Sequence, residues 1–162
     1  MTEIHKTIII GLGNTILCDD AVGIIVAKKL YAKVKNKQIS FCESSFAGWR
    51  IIDIINGYDK VIIVDVIKQN NLEIGKCYKV EAKKNMCINL NSSHGLGIFE
   101  SLELAKQNGW SMPKVISVYG INVQNPYEFG EYLTPQVKKN ISKIVKEIIK
   151  EENLELQLGI RN

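Results

Sequence analysis

Apolar runs and amphipathic segments alternate along this chain. Residues 8–11 and 61–66 are apolar on both faces, which is typical of central parallel strands covered by helices. Strands are predicted at residues 6–11, 39–43, 60–66, 76–82 and 114–121. Helical patterns lie between several of them, at residues 20–35, 47–58 and 95–109. This alternation predicts a three-layer α/β/α sandwich with a mostly parallel central sheet.

Two further segments complete the predicted fold. Residues 76–82 alternate apolar and polar side chains, and we interpret them as a pairing strand at the edge of the sheet. A last helix is predicted to begin at Thr134 and Pro135, a capping threonine followed by proline at the first helical position. Its apolar residues recur every three to four positions and predict a buried stripe: Val137, Ile141, Ile144, Val145 and Ile148.

The net charge of +4 does not indicate a nucleic-acid partner. Much of the excess lies in the lysines of this last helix, which fall on the face opposite the apolar stripe and are expected to be solvated. No aromatic residues are interleaved with them to stack on bases. We therefore expect no binding of nucleic acid.

Length and composition predict one soluble domain over residues 1–162. No segment reaches the roughly 18 apolar residues that span a bilayer, so no membrane association is expected. The N-terminal apolar run is too short for a signal peptide and has no small-residue cleavage site. The four cysteines form no CxxC pair, which argues against a disulfide framework or a zinc ribbon. We expect a cytoplasmic protein with reduced thiols.

The turn after the first strand is glycine-rich but also acidic. Residues 11–23 read GLGNTILCDDAVG. A dinucleotide-binding turn needs a third glycine, where this chain has Ile16, and the carboxylates of Asp19 and Asp20 would repel a pyrophosphate. A cation is therefore the more suitable ligand for this turn. Of the two aspartates, Asp19 is predicted to cap the helix, which leaves Asp20 for a ligand.

Three residues that are distant in the chain are expected to meet at one edge of the sheet. Asp20 follows the first strand, Asp65 ends the third, and His94 lies in a loop before the third helix. In parallel sheets, ligands bind at the carboxyl ends of the strands, where the strand order reverses. Two carboxylates and one imidazole suit a borderline divalent cation and leave coordination positions open. This set is the predicted metal site.

Together these segments resemble the hydrogenase maturation endopeptidases, which trim the large subunit of nickel–iron hydrogenases. The family opens with Gly-x-Gly-Asn and an acidic pair, has a strand that ends in aspartate, and contains a histidine loop. It closes with a Gly-Ile-(Glu/Gln)-Pro segment and a Leu-(Ser/Thr)-Pro helix start. The matching stretches are IIIGLGNTILCDDAVGIIVAKKL at 8–30, VIIVDV at 61–66, SSHGLG at 92–97 and VYGINVQNPYEFGEYLTPQV at 118–137.

The resemblance implies a fold, a substrate and a site. The fold would be phosphorylase/hydrolase-like, and the catalytic and metal-contacting residues would be Asp20, Asp65 and His94. The partner would be a hydrogenase large-subunit precursor, which supplies the nickel and loses a C-terminal extension; other divalent ions are also expected to fit the site. Two departures stand out: Cys18 replaces a usual glycine or threonine and is interpreted as a small packed residue, and Gly-Ile-Asn-Val at 120–123 is expected to alter the substrate groove.

Two mechanisms and two other functions stay open from the sequence. Nickel held by the three residues and the substrate would activate a water and polarise the scissile carbonyl. Alternatively, the metal is a docking mark, and Asp20 and Asp65 act as an aspartic-type general acid/base pair. A non-catalytic module that binds or senses nickel would use the same residues. A protease relative with a different protein substrate is the second alternative. The sequence predicts neither the oligomeric state nor the bond that is cut.

Overall fold

The elements of the fold follow the order predicted from the sequence. The computed structural model describes residues 6–34, 37–45, 48–81 and 97–154. The strands are β1 (Thr7–Leu12), β2 (Ile39–Ser44), β3 (Lys60–Ile67), β4 (Cys77–Val80) and β5 (Val115–Asn122). The helices are α1 (Val22–Val34), α2 (Trp49–Ile55), α3 (Ile98–Gln107), α4 (Pro135–Lys138) and α5 (Ile141–Glu151), and a 3₁₀ turn at Cys18–Ala21 precedes α1.

The described strands form one five-stranded sheet with the order β2-β1-β3-β5-β4. Strand β1 pairs in parallel with both β2 and β3, and β3 pairs in parallel with β5. Strand β4 is antiparallel to β5 at the sheet edge, which confirms the predicted edge strand. The chain passes from β1 to β2 on one side and then crosses to β3 on the other. The carboxyl ends of β1 and β3 therefore border the point where the strand order reverses.

Apolar residues cover both faces of the sheet. Along β1, Ile9 packs in a cluster with the buried faces of α1 and α5, whereas Ile8 and Ile10 pack in a second cluster with α2 and α3. This division places helices on both sides of the sheet and confirms the predicted three layers. Within the part of the chain that the structure describes, no helix has the length and apolarity to cross a bilayer.

The predicted last helix is divided in two. Thr134 precedes α4 and Pro135 is its first residue, as predicted, but α4 ends at Lys138 and α5 begins at Ile141. At the break, the Asn140 side chain donates a hydrogen bond to the carbonyl oxygen of Gln136 at 3.0 Å. An asparagine that bonds locally to the backbone in this way competes with helix continuation. The predicted apolar stripe is buried across both helices.

A buried carboxylate fastens the end of α5 to the sheet. Glu152 lies 2.8 Å from the ammonium group of Lys60 on β3 and accepts a hydrogen bond from the Tyr119 hydroxyl on β5. Burial by itself would raise the pKa of Glu152, but hydrogen bonds from Lys60, Tyr119 and Ser117 outweigh it and lower this pKa to about 2. The charged form of Glu152 is therefore part of the folded state.

Candidate active site

The acidic turn sits at the strand-order reversal. Asp20 belongs to the 3₁₀ turn that follows β1, and Asp65 is the third residue from the end of β3. Both side chains are fully buried, with 0% exposure. The turn contacts β3, so the structure brings the segments of Asp20 and Asp65 together at the carboxyl ends of the parallel strands.

Gly13 and Gly23 allow the acidic turn and α1 to lie directly against the ends of β1 and β3. A side chain at Gly13 would place its first carbon 2.1 Å from the carbonyl oxygen of Asp20. At Gly23, the same atom would lie 2.3 Å from the carbonyl oxygen of Leu12 and 2.7 Å from that of Val64. Real side chains do not fit at these distances. The glycines of the turn therefore serve to pack the turn and α1 directly onto the ends of β1 and β3, and the space over Gly13 is filled by the chain's own backbone.

Asp65 is held by its own strand. One of its carboxylate oxygens accepts a hydrogen bond from the backbone N–H of Val66 at 2.8 Å. This contact fixes the orientation of the carboxylate at the carboxyl end of β3. The prediction that Asp65 lies at the end of a buried strand agrees with this position, although the strand continues for two further residues, to Ile67.

The third predicted ligand, His94, lies outside the described residues. Among the residues that are described, no group of three histidine, cysteine, aspartate or glutamate side chains is placed to hold a metal ion. The described part of the candidate site thus consists of two carboxylates. The assignment of Asp20, Asp65 and His94 as one set stays a prediction.

The prediction that Asp19 caps a helix is wrong. Asp19 lies inside the 3₁₀ turn, and its carboxylate instead accepts two hydrogen bonds from Thr134. The Thr134 backbone N–H donates to one oxygen and the Thr134 hydroxyl to the other, each at 2.8 Å. For this reason the hydroxyl of Thr134 makes no cap bond to its own helix. Local spacing gave no sign of this pairing, because 115 residues separate the two partners.

A second set of bonds joins the acidic turn to the segment before α4. Leu17 and Gly130 form a parallel bridge, in which Gly130 donates to the carbonyl oxygen of Ile16 at 2.9 Å and Cys18 donates to that of Gly130 at 2.7 Å. Cys18 is buried against Gly130 and has a backbone φ of 25°, which is unusual for a residue with a side chain. These contacts agree with the interpretation of Cys18 as a packed residue.

The sequence Gly-Ile-Asn-Val at 120–123, which differs from the family pattern, makes contacts in the protein interior. Asn122 is buried, and its side chain bonds to the loop after β3: it accepts from the N–H of Gln69 at 2.8 Å and donates to the carbonyl oxygens of Gln69 and Leu72. The N–H of Val123 donates to Ile67 at 3.0 Å, a bond that proline could not make. Asn122 thus holds the loop that follows the strand of Asp65, a role that the sequence did not suggest.

Comparison with known proteins decides the family. The model of a family described as hydrogenase maturation protease matches residues 24–151. The chain belongs to the hydrogenase maturation protease family. It is therefore a peptidase, and the resemblance seen in its motifs is confirmed.

Individual relatives are distant in sequence but cover almost the whole chain. The hydrogenase 2 maturation protease of Escherichia coli (strain K12) is 23% identical over 147 residues, which are 89% of this chain and 88% of that protein. The solved structure of the hydrogenase maturating endopeptidase HybD from E. coli has a TM-score of 0.76 and 22% identity, covering 93% of this chain and 96% of that one. The [NiFe] hydrogenase maturation protease HycI from Thermococcus kodakarensis KOD1 has a TM-score of 0.63 and 24% identity, covering 92% and 93%. These matches show that this hydrogenase maturation protease shares its fold with HybD and HycI.

Proposed function

We propose that this protease removes the C-terminal extension of a nickel-loaded hydrogenase large-subunit precursor and senses the nickel through Asp20, Asp65 and His94. The observation that carries the proposal is the pair of buried carboxylates at the strand-order reversal of a hydrogenase maturation protease. In open α/β sheets this is the place where ligands bind.

The donor types fit a metal that the substrate presents. Two carboxylate oxygens and one imidazole nitrogen bind borderline divalent cations such as nickel, and other divalent ions as well. Three protein donors leave coordination positions for ligands from the precursor. In this scheme the nickel belongs to the substrate, and the protease holds it only while the precursor is bound. The cytoplasm, where thiol ligands of a precursor stay reduced, is the compartment that suits this reaction.

The chain's own residues would then act on a water molecule at the scissile peptide bond. A divalent cation lowers the pKa of a bound water and polarises a carbonyl, and this is the route that we propose. Asp65, whose orientation is fixed by Val66, is suited to accept the proton that the attacking water loses. Asp20, in the turn packed on β1 and β3, would help to hold the cation. An aspartic-type mechanism would use the same two carboxylates without metal activation of the water.

The first test compares nickel-loaded precursor with nickel-free precursor by mass spectrometry. We expect the wild-type protease to release a C-terminal peptide from the loaded precursor alone. Cleavage of both forms at equal rates would contradict nickel sensing. Binding without cleavage of either form would contradict the proposed reaction and would leave the non-catalytic nickel-binding function.

Variants of the three residues test the site. Asp20→Asn, Asp65→Asn and His94→Ala should each lower the cleavage rate by at least about 100-fold, the scale of a lost catalytic acid or base. Asp53→Asn is a matched control, because Asp53 is an exposed aspartate of α2. Circular dichroism should show the same fold in all four variants. Wild-type cleavage by any of the three site variants would remove that residue from the proposed site.

A further inference from the structure

Large apolar side chains are exposed beside the acidic turn. Ile16 is 49% exposed, Tyr127 48%, Phe129 77% and Tyr132 56%. Single exposed apolar residues are ordinary on protein surfaces, but these four lie on two paired segments. Three of the four are aromatic, and we call the set of Ile16, Tyr127, Phe129 and Tyr132 the aromatic rim. Aromatic residues are enriched in the centres of protein–protein interfaces, where their large surface is removed from water.

The rim is joined to the candidate site by main-chain hydrogen bonds. Gly130, between Phe129 and Tyr132, donates to the carbonyl oxygen of Ile16 and accepts from the N–H of Cys18. Two residues after Tyr132, Thr134 donates twice to Asp19, the neighbour of Asp20. The rim and the acidic turn therefore form one hydrogen-bonded unit near the carboxyl ends of the parallel strands.

The rim lies within reach of a protein that binds at Asp20. Four residues of chain span at most about 14 Å, so Ile16 lies within about 14 Å of Asp20. An interface of ordinary size buries about 800 Å² on each partner, a patch with a radius of roughly 16 Å. An interface of that size centred on Asp20 would thus reach Ile16 and the Gly130 segment paired with the acidic turn.

We propose that the aromatic rim is the docking surface for the body of the hydrogenase large-subunit precursor. The proposal rests on the proposed function, because the precursor is the partner that the site requires. Docking on the rim supplies binding energy that does not depend on the metal. Nickel then decides whether the docked precursor is cut.

Binding to nickel-free precursor tests the rim separately from cleavage. The double variant Ile16→Ser/Phe129→Ser removes the two rim side chains that carry no polar group. Trp110→Ser is the control, because Trp110 is also an exposed aromatic residue, with 44% exposure. It lies between the end of α3 and the start of β5, so it is near the amino ends of the parallel strands and away from the candidate site. We expect the double variant to raise the dissociation constant for nickel-free precursor by at least about tenfold, as loss of interface anchors does. The control should bind like the wild type.

Cleavage kinetics and self-association complete the test. With nickel-loaded precursor, the double variant should raise KM by a similar factor and leave kcat within about twofold, because substrate binding alone is weakened. Wild-type affinity and KM in the double variant would overturn the docking surface while leaving the proposed cleavage intact. Tight binding that the double variant weakens, without any cleavage by the wild type, would support docking and contradict the proposed function. A wild-type dimer in sedimentation velocity that the double variant converts to monomers would assign the rim to a second copy of this chain and overturn the proposal.

Discussion

Thr134 and Asp19 bind each other across 115 residues of sequence through two hydrogen bonds of 2.8 Å. Asp19 is 1% exposed, so these two donors take the place of water as hydrogen-bond partners of its carboxylate. The pair fastens the start of α4 to the turn that presents Asp20. It therefore joins the C-terminal part of the chain to the candidate active site.

Removal of the Thr134 hydroxyl tests this connection. Thr134→Val keeps the backbone donor but loses one bond to a buried carboxylate, so the free energy of unfolding should fall by about 2 kcal/mol. Thr134→Ser should restore most of it, and Thr15→Val is the control at an exposed threonine. Urea unfolding followed by circular dichroism measures the change. Equal stability of Thr134→Val and Thr15→Val would show that the hydroxyl bond contributes nothing.

The buried carboxylate of Glu152 should make the free energy of unfolding depend on pH in the acidic range. Hydrogen bonds from Lys60, Tyr119 and Ser117 overcome burial and lower the pKa of Glu152 from 4.5 to about 2. A carboxyl whose pKa is lower in the folded state stabilises the fold above its unfolded pKa, and that contribution is lost as pH falls from 4.5 to about 2. Glu152→Gln should lower the free energy of unfolding at pH 7 by about 3 kcal/mol, because Lys60, whose side chain is only 12% exposed, is left without its counter-ion. The same variant should lose less stability than the wild type between pH 4.5 and 2.

The control for this experiment is Glu151→Gln, because the Glu151 side chain is 48% exposed. Surface ion pairs contribute little, so a change below about 1 kcal/mol is expected for it. Chemical denaturation at a series of pH values gives both results. An acid dependence of Glu152→Gln that matches the wild type would contradict the lowered pKa of Glu152.

Asn122 is expected to hold the loop after β3. Asn122→Ala removes the buried side chain that bonds to Gln69 and Leu72, so the half-buried backbone groups of these two residues lose that partner. A loss of about 2 kcal/mol or more in the free energy of unfolding follows. Hydrogen exchange of residues 68–75 should become faster than in Asn71→Ala, a control at an exposed position of the same loop. Unchanged exchange in Asn122→Ala would contradict the role of this side chain.

Gly23→Ala should destabilise the protein although alanine favours helices. In an exposed helix the substitution would stabilise by up to about 1 kcal/mol. At Gly23 the added methyl group would lie 2.3 Å from the carbonyl oxygen of Leu12, so α1 must move away from the sheet. We expect a loss of about 2–3 kcal/mol and lower cleavage activity, since the acidic turn moves with α1. Lys28→Ala, an exposed substitution in the same helix, is the control; equal melting temperatures for the two variants would contradict the close approach.

Elements of the fold were predictable where the signal is local. The apolar runs of β1 and β3 predicted buried parallel strands, and the alternation in residues 76–82 predicted the edge strand β4. The apolar stripe predicted which side of α5 is buried, but not the break at Asn140, which depends on one side chain bonding to the backbone. For the candidate site, the sequence placed Asp20 after β1 and Asp65 near the end of β3, because the carboxyl ends of parallel strands lie together and their positions follow from chain order.

By itself, then, the sequence determined the order of strands and helices along the chain, their buried faces, and the placement of the acidic residues at the carboxyl ends of the strands. Each of these follows from periodicity within about ten residues or from the order of the elements. Only the tertiary structure decided that Asp19 binds Thr134, that Asn122 holds the loop after β3 and that Glu152 binds Lys60. These polar pairs join residues that lie 115, 50 and 92 positions apart. No local pattern encodes them, since a buried polar group takes whichever donor or acceptor the packed layers bring within reach.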